Sequence, residues 1–169
     1  MRTRKLKAGI ISDANVLIDY VNSAPKVLKL ICRHFGNIYV ALPVLREVGQ
    51  LSEEDVKKLG IVIIEPSFMQ VIEAVSVREH KPSLSGQDAI CYVLARDNDW
   101  TCLTNDTALR THCANNKVEC IWGLEIMLYL VSNGIIKAET AYNTALSIQK
   151  DNAFIRDKTV EKFKEKLGL

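Results

Sequence analysis

The chain has 169 residues, of which 48% are hydrophobic and 25% are charged. These values are typical of a single globular domain and exclude a disordered chain or a disulfide-rich miniprotein. The net charge is only +2, so a nucleic-acid contact needs a local basic patch rather than an overall positive charge.

The chain begins with a basic segment, but the apolar run that follows extends only from Ala8 to Ile11. That run is too short for the core of a signal peptide or for a membrane span. We therefore expect a cytoplasmic protein without a membrane partner. The five cysteines are odd in number and lack C-x-x-C spacing, which argues against a zinc site and favours buried, reduced thiols.

Short apolar runs alternate with helical periods along the chain. The predicted strands are continuously apolar, as is typical of parallel strands covered on both faces. This alternation predicts an α/β fold, a three-layer α/β/α sandwich around a parallel sheet. The predicted strands are Ala8–Ser12, Asn37–Ala41, Ile61–Ile64, Trp100–Leu103 and Val118–Ile121. The predicted helices are Ala14–Val21, Pro25–Phe35, Pro43–Leu51, a helix capped at Ser52, Phe68–Glu79, Ser85–Asp97, Asp106–Asn115, Leu124–Ser132, Ala138–Lys150 and Arg156–Leu167.

Four acidic residues fall near the carboxyl ends of the predicted strands. Asp13 follows the first strand and Asp106 follows the fourth. Glu47 lies about one turn into the helix after the second strand, and Asp88 lies at the start of the helix that leads into the fourth. Because ligands of open parallel sheets collect at this edge, we expect these carboxylates to share one site.

Each of these acids also has a simpler explanation when it is taken alone. Asp13 and Asp106 could cap helices, Asp88 could complement a helix dipole, and Glu47 could be a solvated helix residue. Together, however, carboxylates at one sheet edge repel each other unless a cation or shared protons relieve them. Oxygen ligands without His or Cys favour Mg²⁺ or Mn²⁺, ions that activate water and polarise phosphoryl oxygens. The constellation therefore predicts metal-assisted hydrolysis of phosphodiesters.

The acidic segments resemble the motifs of PIN-domain nucleases. The segment 11–19 resembles their opening motif, with Asp13 after a strand and Asn15 two residues later, and Glu47 matches their helix glutamate. Residues 84–95 resemble their third acidic motif, and Leu103-Thr104-Asn105-Asp106 resembles their fourth. The resemblance covers about residues 8–135. We therefore expect a nuclease domain over residues 1–135 and a helical extension over residues 136–169 packed on it.

The resemblance implies a fold, an activity and partners. It implies the sheet order 3-2-1-4-5, RNA cleavage that depends on Mg²⁺ or Mn²⁺, and a catalytic set in which the three aspartates bind the metal. It also implies a homodimer and, because many small members are VapC-like toxins, a small antitoxin partner. The candidate interface is the pair of predicted helices over residues 24–35 and 43–59, although the apolar residues of these helices could instead all pack on the sheet. Its apolar residues are Val27, Leu28, Leu30, Ile31, Leu45 and Val48.

Several other residues near the predicted edge are candidates to assist the acids. Asn15, Thr104 and Asn105 lie beside them in sequence and are candidates to orient waters or carboxylates. Asp19 is expected on the surface. Trp122 could stack on a base, although a core position is favoured. The basic residues that could surround the site are Arg46, Arg78, Lys81 and Arg110.

Three alternatives compete with a metal-dependent nuclease. An aspartyl-phosphate phosphatase also has an aspartate after its first strand, but it usually needs a second one at the position of Asn15. A phosphatase or a phospho-receiver module also needs a lysine near the fourth strand end, and none occurs between Trp100 and Leu109. A catalytically silent PIN domain that binds RNA or a protein is the third alternative.

Overall fold

The computed structural model describes residues 6–49 and 51–169, so the basic segment over residues 1–5 lies outside the described residues. The strands are β1 (Ile10–Ser12), β2 (Ile38–Ala41), β3 (Val62–Ile64), β4 (Thr101–Leu103) and β5 (Cys120–Ile121). The helices are α1 (Ala14–Ser23), α2 (Pro25–Phe35), α3 (Leu42–Leu45), α4 (Glu53–Lys58), α5 (Phe68–His80), α6 (Gly86–Asp97), α7 (Thr107–Asn115), α8 (Ile126–Ser132), α9 (Ala138–Asp151) and α10 (Asp157–Leu167).

The strands form one parallel sheet in the order β3-β2-β1-β4-β5. This confirms the predicted fold class and the predicted sheet order. The central strand β1 is buried along its whole length, as expected for a strand covered on both faces. Ser12 of β1 pairs with Leu103 of β4, so the residues that follow these two strands emerge side by side at the carboxyl edge of the sheet.

The segment after β2 differs from the prediction of one long helix over residues 43–51. Helix α3 ends at Leu45, after which the backbone N–H groups of Glu47 and Val48 donate to carbonyls only three residues back. These tighter turns end the α-helical pattern. A new helix then starts where Ser52 and Asp55 form a reciprocal N-terminal capping box. Glu47 therefore lies in a turn and not inside a helix.

The two C-terminal helices are packed onto the rest of the molecule. Helix α9 packs against α1, and α10 packs against α8 and α9. Their buried residues, among them Ala145, Ile148 and Phe163, belong to the same hydrophobic core as the strands. The division into a nuclease domain over residues 1–135 and a helical extension over residues 136–169 stays a prediction, because the core is continuous across residue 135.

The side chains that the sequence offered as an interface are used inside the molecule. Five of the six are buried, and the sixth, Leu30, is partly buried. Of the large apolar side chains that are exposed, more than half lie instead on α5, at Phe68, Met69, Val71, Ile72 and Val75. Among the helices of the described residues, none combines the length and the apolarity that a membrane crossing needs.

Candidate metal centre

Asp13 stands at the carboxyl end of β1 and caps the first helix. One of its carboxylate oxygens, Oδ1, accepts the backbone N–H of Val16 at 2.8 Å, which satisfies a free donor of the first turn of α1. The other oxygen accepts the hydroxyl of Thr104 from the end of β4. Only 4% of Asp13 is exposed. The cap therefore fixes a carboxylate in a nearly dry position at the sheet edge.

Asp106 caps α7 in the same way. Its Oδ1 accepts the backbone N–H of Leu109 at 2.7 Å, and its own N–H donates to Thr104 Oγ1 at 2.9 Å. Thr104 is thus a bridge, because its hydroxyl donates to one candidate ligand and accepts from the backbone of another. The helix-capping explanation for Asp13 and Asp106 is correct, and it is compatible with a second role, since each carboxylate oxygen has two lone pairs.

Asp88 lies in the first turn of α6 and is part of a capping box with Ser85. Its Oδ2 accepts the backbone N–H of Ser85 at 3.0 Å and the hydroxyl of Ser85 at 2.7 Å. The box holds one oxygen against the helix start, and no hydrogen bond among the described residues engages the other, Oδ1. Glu47 reaches the same region from the turn after α3, and its side chain is exposed.

The four predicted acids line one cleft at the carboxyl edge of the sheet, with a volume of about 250 Å³. Asn15, which was predicted to assist them, lies on its wall. In residues 6–49 and 51–169, however, no three carboxylate oxygens from different residues lie within 4.8 Å of one another. The donor set fits a hard divalent ion, because Mg²⁺ keeps several of its waters and uses few direct carboxylates.

Burial and mutual repulsion change the protonation of this cleft. Burial, with a smaller contribution from the charge of Asp88, raises the pKa of Asp13 from 3.8 to about 7, although the hydrogen bonds from Thr104 and Val16 oppose the shift. Partial burial and the charge of Asp88 also raise the pKa of Glu47. The cleft therefore contains a carboxylate that is partly protonated near neutral pH, and such raised pKa values are typical of carboxylates buried beside like charges.

The side chain of Asn105, which is predicted to assist the acids, forms its hydrogen bonds with other groups. Its Nδ2 donates to Asp19 at 2.9 Å, and its Oδ1 accepts the backbone N–H of Gly123 at 2.9 Å. Asp19 also accepts Nδ2 of Asn152, at the end of α9, at 2.8 Å. We call these three side chains, of Asp19, Asn105 and Asn152, the polar node. Its hydrogen bonds hold Asn105, the residue between Thr104 and Asp106, in place.

The prediction that Asp19 lies on the surface is wrong, since only 8% of it is exposed. Asp19 is buried because α9 packs against α1. The sequence around Asp19 does not predict this contact, since α9 lies more than 100 residues away. Burial raises the pKa of Asp19, and the bonds from Asn152 and Asn105 oppose that shift. One local signal existed, because Asp19 is a lone charged residue in an otherwise apolar stretch from Val16 to Val21.

A second cluster lies deeper in the molecule. The sulfur atoms of Cys102, Cys113 and Cys120 lie within 4.8 Å of one another, between β4, β5 and α7. The spacing of the cysteines along the chain gave no sign of this, because register brings Cys102 and Cys120 opposite each other on neighbouring strands. All five cysteines are free thiols, and four of them are buried.

Comparison with known proteins identifies the fold and the family. A family model described as a PIN domain matches residues 9–169, which is nearly the whole chain. The chain belongs to the PIN-domain family. PIN domains are generally nucleases, and they usually use divalent metal ions. Membership confirms the resemblance and removes the phosphatase and phospho-receiver alternatives.

The crystal structure of PAE2754 from Pyrobaculum aerophilum is similar to this PIN domain. The TM-score is 0.54 at 18% sequence identity, and the match covers 76% of this chain and 99% of that one. At this identity the likeness shows the fold alone. The part of this chain outside the match is therefore additional to the smaller protein. A search among curated proteins finds no significant match.

Proposed function

We propose that this PIN domain is a divalent-metal-dependent endoribonuclease that hydrolyses RNA phosphodiester bonds. The observation that carries the proposal is that four carboxylates from four separate segments line one cleft at the carboxyl edge of the sheet. One of them, Asp13, is almost fully buried. Keeping a cluster of negative charges is unfavourable for folding, and a bound cation offsets that cost.

The residues divide into roles by their position. Asp13, Asp88 and Asp106, each held by a helix cap, are the proposed metal ligands. A divalent ion held there supplies charge that polarises the phosphoryl group and lowers the pKa of a bound water. Glu47 lies in the turn after α3, exposed, with a pKa raised by partial burial and by Asp88. It is the acid best placed to accept a proton from the attacking water.

A single-turnover assay tests the proposal. End-labelled single-stranded RNA is mixed with the EDTA-treated protein, and Mg²⁺ or Mn²⁺ is then added. We expect cleavage only with the ion, and we expect Asp13→Asn to lower the rate by about 100-fold or more. Asp99→Asn is the matched control, since Asp99 is an exposed acid at the amino side of β4 and pairs with Lys7.

Two outcomes argue against this activity. Equal cleavage by Asp13→Asn and the wild type would place the activity outside the cleft. RNA binding without cleavage in either ion would favour the alternative of a silent, RNA-binding PIN domain.

A narrower form of the proposal is that the enzyme is the toxin of a toxin–antitoxin pair. A cleft of about 250 Å³ lined by four acids has room for one basic side chain of a small antitoxin. Such a side chain would pair with the carboxylates and compete with the metal.

The homodimer is a further proposal. The apolar side chains exposed on α5 support some self-association. Light scattering of the purified protein tests it, and a dimer gives twice the mass of the 19.0 kDa chain.

A further inference from the structure

A second and larger cleft opens beside the acidic one. Its volume is about 880 Å³, and it is lined by α7, by the segment after β5, and by the α9–α10 connection with α10. The two clefts share Asn15 and Asp106 on their walls. A chain lying in the larger cleft would therefore run directly into the proposed metal centre.

The charged side chains of this larger cleft are mostly basic, with two acids, Asp106 and Glu125, among them. Arg110, Arg156, Lys162 and Lys166 line it. Lys166 forms an ion pair with Glu125, whereas the other three have no ion-pair partner within the part of the chain that the structure describes. Unpaired cations next to a cluster of carboxylates provide the attraction for a polyanion that the carboxylates themselves would repel.

Aromatic side chains are interleaved with these cations. Phe154, in the connection between α9 and α10, is 95% exposed, more than any other large apolar side chain of the described residues. Trp122 is partly buried, and the guanidinium carbon of Arg110 lies 5.5 Å from its ring centroid. Exposed aromatic rings beside basic residues are the arrangement on which unpaired bases stack.

We propose that this larger cleft, called here the basic cleft, binds single-stranded RNA and guides it to the acids. The inference rests on the proposed function and adds the part of the protein that recognises the substrate. Arg156 and Lys162 contact backbone phosphates, and Phe154 stacks on a base. All three belong to the C-terminal segment, so this segment, and not the acidic cleft, provides the affinity for RNA. A duplex is disfavoured, because its bases are already stacked and cannot cover Phe154.

Binding is measured by fluorescence anisotropy with a labelled single-stranded RNA and the full chain in EDTA, so that no cleavage is needed. We expect Arg156→Ala/Lys162→Ala to weaken binding and to lower the slope of log K against log salt by about 1.4, or ~0.7 for each lost phosphate contact. We expect Phe154→Ala to weaken binding by about 5-fold or more. A duplex of the same sequence should bind more weakly than the single strand.

The chain offers a matched control for each variant. Lys29→Ala/Arg33→Ala removes one lysine and one arginine from the exposed face of α2, and Phe68→Ala removes a phenylalanine that is 77% exposed on α5. Both controls should bind RNA as the wild type does. Thermal unfolding confirms that all variants are folded.

The outcomes separate this inference from the proposed function. Any of four results would overturn the proposal that the basic cleft binds RNA. These are unchanged binding by both cleft variants, an equal loss of binding in the controls, equal binding of the duplex, and no binding by the wild type. None of these depends on catalysis. If the wild type cleaves RNA with Mg²⁺ and the cleft variants bind RNA normally, the proposed nuclease activity stands and the basic cleft is rejected. If only the cleft variants lose RNA binding and the wild type never cleaves RNA, the basic cleft is supported and the proposed nuclease activity is rejected.

Discussion

The hydroxyl of Thr104, directly after β4, donates a hydrogen bond to the carboxylate of Asp13, directly after β1. The same hydroxyl accepts the backbone N–H of Asp106. Two candidate ligands that are more than 90 residues apart in sequence are therefore held by one side chain. Because β1 and β4 are neighbours in register, this bridge is a direct result of the sheet order.

The first prediction concerns this bridge. Thr104→Val keeps the shape of the side chain but removes the hydroxyl, which holds the pKa of Asp13 down. Asp13 should then be more protonated at neutral pH and bind metal less well. We expect metal affinity and cleavage to fall by about 10- to 100-fold at pH 7, with partial recovery at higher pH. A titration with Mn²⁺ and a pH–rate profile measure both effects.

Thr104→Ser is the control for this experiment, since it retains the hydroxyl. It should keep metal affinity and the pH profile close to those of the wild type. If Thr104→Val behaves like Thr104→Ser, the bridge has no part in tuning Asp13.

The second prediction concerns the pH dependence of stability in the metal-free protein. The pKa of Asp13 is raised from 3.8 to about 7 by burial, so the folded state binds more protons than the unfolded state between these values. The contribution of Asp13 to the free energy of unfolding should therefore be fully present below about pH 4 and be lost as the pH rises towards 7. The slope from this group is at most about 1.4 kcal/mol per pH unit.

Urea unfolding in EDTA at several pH values measures this slope. Asp13→Asn should flatten it, because the amide has no proton to lose, whereas Asp99→Asn should leave it unchanged. Saturating Mg²⁺ should restore stability near pH 7. A wild-type slope that Asp13→Asn preserves would assign the titration to another group.

The third prediction concerns the polar node. Asn152→Ala removes the donor that reaches Asp19 from α9, leaving one carboxylate oxygen buried without that partner. We expect the free energy of unfolding to fall by about 1.5–3 kcal/mol, the range for hydrogen bonds to charged groups. Asn143→Ala, at an exposed position of the same helix, is the control and should change stability little. Equal effects of the two variants would mean that the node does not stabilise the fold.

The fourth prediction concerns the close approach of Gly123 to Asn105. A Cβ atom at residue 123 would lie 2.6 Å from Asn105 Oδ1, too close for any side chain to be accommodated without movement. Gly123→Ala should displace Asn105 and with it the loop that carries Asp106, lowering both stability and cleavage, with a cost in stability of about 1–3 kcal/mol. Gly49→Ala meets nothing within 4 Å and should be tolerated. Normal cleavage by Gly123→Ala would show that this loop is not fixed by the contact.

The fifth prediction tests the toxin proposal in cells. Expression of the wild-type chain alone in its host should arrest growth, and Asp106→Asn should relieve the arrest while accumulating to the same level. Growth curves and immunoblots measure the two quantities. Harmless accumulation of an active wild-type enzyme would point to a role other than that of a toxin.

The sequence was most informative where structure is local. Helix starts could be predicted from Asp13, Asp106 and the Ser85–Asp88 pair. The apolar strands then predicted the edge of the sheet at which these residues lie. Placing Glu47 in a helix was wrong, because the competing cap at Ser52 and the tight turns after Leu45 depend on backbone hydrogen bonds that the pattern does not reveal.

Contacts between distant segments were the part that the sequence did not reveal. The burial of Asp19, the thiol cluster and the basic cleft all depend on how the last two helices and β5 come to lie beside α1 and α7. Trp122 can be placed near the edge because it directly follows a predicted strand, and Arg110 because it lies in the helix after the fourth strand. Phe154 was missed, because a single exposed aromatic residue gives no periodic signal.

The polar node also has a consequence for how this protein is made. Asn152 is synthesised 133 residues after Asp19, so a nascent chain still lacking its last helices cannot complete the node. The four acids of the cleft therefore emerge from the ribosome before Asn152 does. During synthesis, the loop between Thr104 and Asp106 therefore obtains its full set of hydrogen bonds only after α9 and Asn152 have emerged.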